Sequence, residues 1–310
     1  MIPLAGLGAI ALVLGTGAGP LLSRSPWCQR LPRVAVLAWL GVLAGALAAM
    51  IGVVVMVSAG RHGLVHHAAE WLVNCWHHHH EGANGPTSYA LNAFLLGGSL
   101  VAAVMAGLRY RGTVTRRRRH QDALQFVVRS SGDLDDVCVL DHPVPVVYCL
   151  PSRRRPIVVS SGALDRLEET QLQAVLTHER AHLRHRHHLL LTAIDALAAA
   201  LFWAPSFRGA RRSMPILLEM TADDIAARRW GRQAVAAALR ILTIAQSPAG
   251  GLAAGGSDAS QLDRRLSRLK ASNTVDQAHL QRLTWATAIA AVIVPLLISA
   301  AWITVTPGIC

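Results

Sequence analysis

Four segments of this chain leave little freedom in how it folds. Ile2–Leu22, Val34–Ser58, Tyr89–Leu108 and Leu283–Val305 contain no Asp, Glu, Lys or Arg. Each is close to the about 20 residues that carry a helix across a bilayer. Backbone groups in lipid must pair within their own segment, so these segments are expected to be helices. The composition agrees: 52% of the residues are hydrophobic and 15% charged, too apolar for an ordinary water-soluble chain. The first segment has no basic residue ahead of it and no clear small-x-small cleavage site before charge returns, so it reads as a retained span and not a cleaved leader.

The connections orient these spans. Arg24, Arg30 and Arg33 follow the first, and Arg109, Arg111 and the run Arg116–Arg119 follow the third. Between the second and third stand only Arg61, Glu70 and Glu81. Positive charge stays on the cytoplasmic side, so the middle loop is expected outside and residues 109–282 inside. Three parts follow: residues 1–108 with spans at about 2–22, 34–58 and 89–108, a cytoplasmic domain over 109–282, and a last span in 283–310. The location expected is a multi-pass place in the cell membrane, with the lipid bilayer as a partner.

The net charge of +12 is largely arginine beside membrane ends, where anionic lipid attracts it. No direct nucleic-acid partner is expected. Cys28, Cys75, Cys138, Cys149 and Cys310 form no C-x-x-C pair, which argues against both a disulfide framework and a cysteine zinc site. The outer loop holds His62, His66, His67 and the run His77–His80 beside Trp71 and Trp76. It reads as a solvated loop with interfacial tryptophans, with metal capture as the alternative.

Within 109–282, Val137–Asp141, Val144–Leu150 and Pro156–Ser160 read as short strands, and Gln121–Val128 as a short helix or strand. Helices follow, with starts offered at Ser160-Ser161 and Thr170. An α+β domain results. Leu189–Ala204 is apolar but short and carries Asp195, so it is expected to associate with the membrane without crossing it. Gln261–Ala271 reads as a basic amphipathic helix, with Leu262, Leu266 and Leu269 on one side.

The chemistry concentrates in Leu176–His188, LTHERAHLRHRHH, which contains His178-Glu179-Arg180-Ala181-His182. On a helix, residues four apart share a face, so His178 and His182 can turn their imidazoles to one metal ion. Glu179 is near enough to hold the attacking water. Two neutral nitrogens, an open position and a carboxylate base suit Zn²⁺-assisted hydrolysis. A third ligand is required. Glu219 and Asp223, four apart in the next helical stretch, can supply one metal carboxylate and one partner for the far N–H of a ligand histidine. The competing reading pairs these acids with Arg211 or Arg228. Asp224 is expected in solvent. His185, His187 and His188 are alternative ligands but read as surface or membrane-facing.

These residues carry a family likeness. The run from Val144 to His188, with Arg155-Pro156-Ile157-Val158, Ser160-Ser161-Gly162-Ala163-Leu164 and the His-Glu-Arg-Ala-His motif, resembles BlaR/MecR-type integral-membrane metallopeptidases. So do Leu201-Phe202-Trp203-Ala204-Pro205 and Glu219-Met220-Thr221-Ala222-Asp223-Asp224. The chain is similar, more distantly, to CAAX prenyl proteases and HtpX peptidases. The resemblance implies zinc ligands at His178, His182 and Glu219, a catalytic Glu179 and an outer acid at Asp223. It implies hydrolysis of a peptide bond in a cytoplasmic protein, with a winged-helix repressor as the substrate of its best-known members. Those members carry a penicillin-binding sensor domain after the last span. The sequence stops at Cys310, so direct β-lactam sensing is not expected of it, and the input is left open between the His-rich outer loop, another subunit and none at all.

The fold class expected is a mainly α membrane protein, with about four transmembrane helices and a cytoplasmic α+β zinc metallopeptidase domain. The function expected is membrane-embedded zinc endoproteolysis in a signalling pathway. The alternatives are a quality-control or CAAX/HtpX-type protease, and a non-catalytic metal or signal sensor. Arg228 or Arg229 is the expected cation for the oxyanion, and a homo-oligomer is compatible with the sequence.

Overall fold

The computed structural model describes residues 2–59, 86–125, 136–149, 157–246 and 256–271, with single helical positions between 286 and 297. The His-rich outer loop, most of the expected last span and residues 126–135 lie outside the described residues.

The chain is mostly helical. Helix α1 (Ile2–Leu12) runs through a π-helical turn at Val13–Ala18 into α2 (Gly19–Arg24). A short α3 (Trp27–Arg30) then leads to α4 (Pro32–Ala59). Two segments, Ala5–Arg24 and Pro32–Val55, are long and apolar enough to cross a membrane. The expected third span lies within α5 (Pro86–Gln125), a helix of 40 residues. It does not stop at Leu108 but continues through the arginine run, because Arg, Gln and Ala all favour helix once it has begun. Leu96, Leu100, Val101 and Leu108 stand exposed on it.

The domain opens with three strands, β1 (Val137–Leu140), β2 (Val147–Cys149) and β3 (Ile157–Ser160). Their order is β1-β3-β2, with β3 parallel to β1 and antiparallel to β2. β3 is buried along its length, which suits a central strand of Ile-Val-Val. β2 lies at an edge. Ser160 Oγ ties the sheet to the next helix, accepting from Val146 N and Ala163 N and donating to Val144 O. It thereby caps α6 (Ser161–Arg166). Gly162 follows because a Cβ there would collide with the Pro143 carbonyl.

Helix α7 (Glu169–Arg184) carries the His-Glu-Arg-Ala-His motif. Its cap is Glu168, paired reciprocally with Gln171, two residues ahead of the start anticipated at Thr170. Val175 and Leu176 face the sheet with Val137, Ile157 and Val159. The histidine face is thereby turned away from the sheet, toward α9. Arg180 fixes the rotation further with two hydrogen bonds to Asp136, at 2.7 and 2.9 Å.

After α8 (His187–Ala200) comes α9 (Pro205–Trp230). Its first half shares one core with the candidate membrane helices, where Trp39 and Leu43 of α4 pack with Ile194, Phe207 and Met214. Ser206 Oγ accepts from Gly19 N at 2.9 Å and donates to Leu14 O, bonding backbone groups at the π-helical turn. Its second half passes across α7, where Trp230 Nε1 donates to Thr177 Oγ1 at 2.8 Å. Helices α10 (Arg232–Gln246) and α11 (Gly256–Lys270) close the domain, with Val235 and Leu269 packed on Ala174 and Ala226.

Candidate metal centre and active site

His178 and His182 lie one turn apart on α7, and their Nε2 atoms face each other at 3.0 Å. Glu219 comes from α9. Its Oε2 lies 3.3 Å from His178 Nε2 and its Oε1 lies 3.4 Å from His182 Nε2. Three ligand atoms on two helices therefore converge on one point. Ligands at 2.0–2.1 Å around a tetrahedral zinc ion stand about 3.3 Å apart. The spacing of the donors fits that ion, and so does their chemistry: two imidazoles and a carboxylate.

The outward nitrogens are also engaged. His178 Nδ1 lies 3.0 Å from Asp223 Oδ1. Asp223 is 1% exposed and is gripped by Arg265 of α11, whose Nε and Nη2 donate to its two oxygens at 2.8 and 2.7 Å. Arg265 Nη1 lies 3.1 Å from Glu219 Oε2. Asp223 thus takes the place expected for the acid behind a ligand histidine. His182 Nδ1 meets His187 Nδ1 at 3.0 Å, and His187 is buried, not on the surface as its sequence position implies.

The charges respond to this packing. Burial opposes a proton on His178, but its hydrogen bonds to Asp223 and Glu219, and their charges, raise it to about 10 in the metal-free site. Burial works against the Glu219 anion, yet His178 and Arg265 hold it down to about 2. Desolvation and the neighbouring His178 push His182 down to about 4. Glu179 is raised above the ordinary carboxylate range by burial, partly offset by His178 and by hydrogen bonds from the thiol and backbone of Cys149 on β2. A cavity of about 220 Å³ opens beside these groups. Glu179, Glu219 and Arg265 lie on its polar wall, and Val147, Leu239 and Leu242 on its apolar wall.

Arg211 pairs with Asp195 at 2.7 Å, so it does not neutralise the Glu219–Asp223 pair. Asp224 is held by Arg268 at 2.6 Å rather than free in solvent, and Arg268 also donates to Gln29 O in α3. The cation at the site is Arg265, where sequence reasoning offered Arg228 or Arg229. Replacing Arg265 with Met strands a buried Asp223 carboxylate. The expected cost to the metal-free protein is about 3–5 kcal/mol, read as a lowered melting temperature.

Helical packing and donor set together define a metallopeptidase-type site on a chain with candidate membrane helices. Residues 115–246 match the model of peptidase family M48, so that stretch is similar to the metallopeptidase domains of that family. It is 38% identical over 74 residues to the plastoglobule-localized metallopeptidase 48, chloroplastic, of Arabidopsis thaliana, covering 23% of this chain and 22% of that protein. It is 36% identical over 67 residues to a protease HtpX homolog of Thermoplasma acidophilum, covering 22% of this chain and 21% of that one. The chain thus spans about a fifth of the length of these curated relatives. No solved structure matches. The likeness described above as more distant, to HtpX peptidases, is the one these matches carry.

Proposed function

We propose that this chain is a membrane-anchored zinc endopeptidase whose catalytic domain acts on polypeptides at the cytoplasmic face. His178, His182 and Glu219 are the metal ligands, Asp223 is the partner of His178, and Glu179 is the general base. The observation that carries this reading is the convergence of His178 Nε2, His182 Nε2 and the Glu219 carboxylate, with the far nitrogen of each histidine already engaged.

When bound, zinc supplies Lewis-acid activation of water and of the scissile carbonyl. The residues of the chain do the rest. Glu179, raised by burial, takes the proton of the attacking water on its carboxylate and later returns it to the leaving amine. Arg265, held by Asp223 and facing the cavity, places fixed positive charge beside the carbonyl oxygen as it becomes anionic. β2 offers an edge to which an extended substrate can add, with main-chain hydrogen bonds setting its register. The apolar wall of the cavity then receives a side chain next to the cut bond.

The membrane plan belongs to the same reading: spans at about 2–22, 34–58, 89–108 and within 283–310, and residues 109–282 inside the cell. Two substrate classes compete. The BlaR/MecR resemblance favours a winged-helix repressor in a signalling pathway, while the match to a protease HtpX homolog favours the alternative of a quality-control or CAAX/HtpX-type membrane protease. Comparing protein fragments in cells expressing this chain and its Glu179→Gln form separates them. One cut repressor supports the first, and a broad set of shortened membrane proteins supports the second. Identical fragment patterns in both cell lines remove the protease reading.

A further inference from the structure

The described residues include one non-glycine residue with positive φ, Arg186, at 51° in the left-handed region. That conformation costs about 1–2 kcal/mol for an L-residue. It lies between the end of α7 at Arg184 and the start of α8 at His187. The turn has a definite product. It folds His187 back along α7 until its Nδ1 lies 3.0 Å from His182 Nδ1, with the two rings edge to face at 89°. The ring of His185 stacks on the other side of His187, with centroids 5.8 Å apart, and His187 itself is only 4% exposed. Its ring is therefore held in rotation as well as in place.

We propose that His187 is the positioning residue of the metal centre: its Nδ1 accepts the Nδ1–H of His182, which fixes the tautomer and rotation that present His182 Nε2 to the metal. This rests on the metal-site reading above. Two adjoining Nδ1 atoms can share only one proton. If His182 is to keep Nε2 free as a ligand, that proton belongs to His182 and His187 must accept. The surroundings keep His187 in the accepting form. It sits at the positive end of α8, where the unpaired backbone N–H groups disfavour a second proton on its ring, and it is only 4% exposed. The two ligand histidines are thus supported differently, His178 by an anion and His182 by a neutral ring. Glu179, Glu219 and Asp223 already bring three acids to the site, and a neutral partner for His182 adds no fourth.

The test uses the full chain in detergent and measures zinc affinity by competition with a chromophoric chelator, independently of any peptidase assay. Removing the acceptor in His187→Leu is expected to weaken zinc binding roughly 10- to 100-fold, the usual effect of losing an outer partner. His187→Asn places an amide oxygen where Nδ1 was and recovers most of that loss. Wild-type protein carrying ¹⁵N-histidine supplies a reading that needs no variant. In the zinc-loaded state, Nδ1 should be protonated on His182 and bare on His187. A protonated His187 Nδ1, or His187→Leu binding zinc as tightly as wild type, overturns the proposal and leaves the metal site standing. Wild-type protein that takes up no zinc overturns the metal-site reading, and this inference with it.

Discussion

Glu179→Gln is expected to retain one zinc ion per chain while cleaving peptides about 10²–10⁴-fold more slowly, the range contributed by a positioned general base. The substitution is nearly isosteric. Its amide oxygen can still accept from the Cys149 backbone that meets the Glu179 carboxylate. It lies beside His178 but is not among the three converging ligands, so metal content measured by elemental analysis should not change. What is lost is the capacity to take a proton. Burial raises the affinity of Glu179 for that proton, so the group is a stronger base than a solvated carboxylate and better matched to work near neutral pH. Cleavage at the wild-type rate would place the base elsewhere. Loss of zinc together with activity would make Glu179 part of the metal site.

The portion of the site legible in the sequence is the portion with helical periodicity. His178 and His182, and then Glu219 and Asp223, are each four apart, and each pair lies inside a single unbroken helix. His187 was hidden by the same rule. Five residues along a continuous helix turn the side chain by about 140° from His182, toward the opposite face. Only the left-handed turn at Arg186 brings it back, and such a turn at arginine has no sequence signature. Arg265 was hidden for a different reason. It stands 42 residues from Asp223 and reaches it only through the docking of α11, whereas Arg228 and Arg229 were nearer in sequence. In a chain with 30 Lys and Arg residues, charge alone does not single out one guanidinium. Helix α5 illustrates a third limit. Absence of charge over Tyr89–Leu108 speaks to lipid solubility and not to where a helix stops, so the continuation of α5 through Arg109 to Gln125 was not legible from it.

Zinc affinity is expected to rise about tenfold for each pH unit across the neutral range, giving a hundredfold gain between roughly pH 6.5 and 8.5. The argument counts protons. In the metal-free site His178 carries a proton up to about 10, because Asp223 and Glu219 flank it and outweigh the cost of burial. Zinc needs that nitrogen bare, so binding must release this proton. Of the groups in contact with the three ligands, four release none in the same range: His182 and His187 are pushed down to about 4, Glu219 is held at about 2, and Asp223 lies lower still beside Arg265. One proton exchanged per ion gives a slope of one. A ligand histidine with the ordinary value near 6.5 would instead give a curve that flattens above about pH 7. The stability of the metal-free protein should change in the opposite sense. A histidine raised on folding contributes stability that is complete below about pH 6.5 and is lost as pH climbs toward 10. Alkaline conditions should therefore weaken the empty fold while they strengthen metal binding. Chelator competition for zinc and melting of the metal-free chain, each followed over pH 6.5–8.5, measure the two slopes. A flat affinity curve would mean that Asp223 is neutralised by Arg265 so fully that it no longer supports a charge on His178.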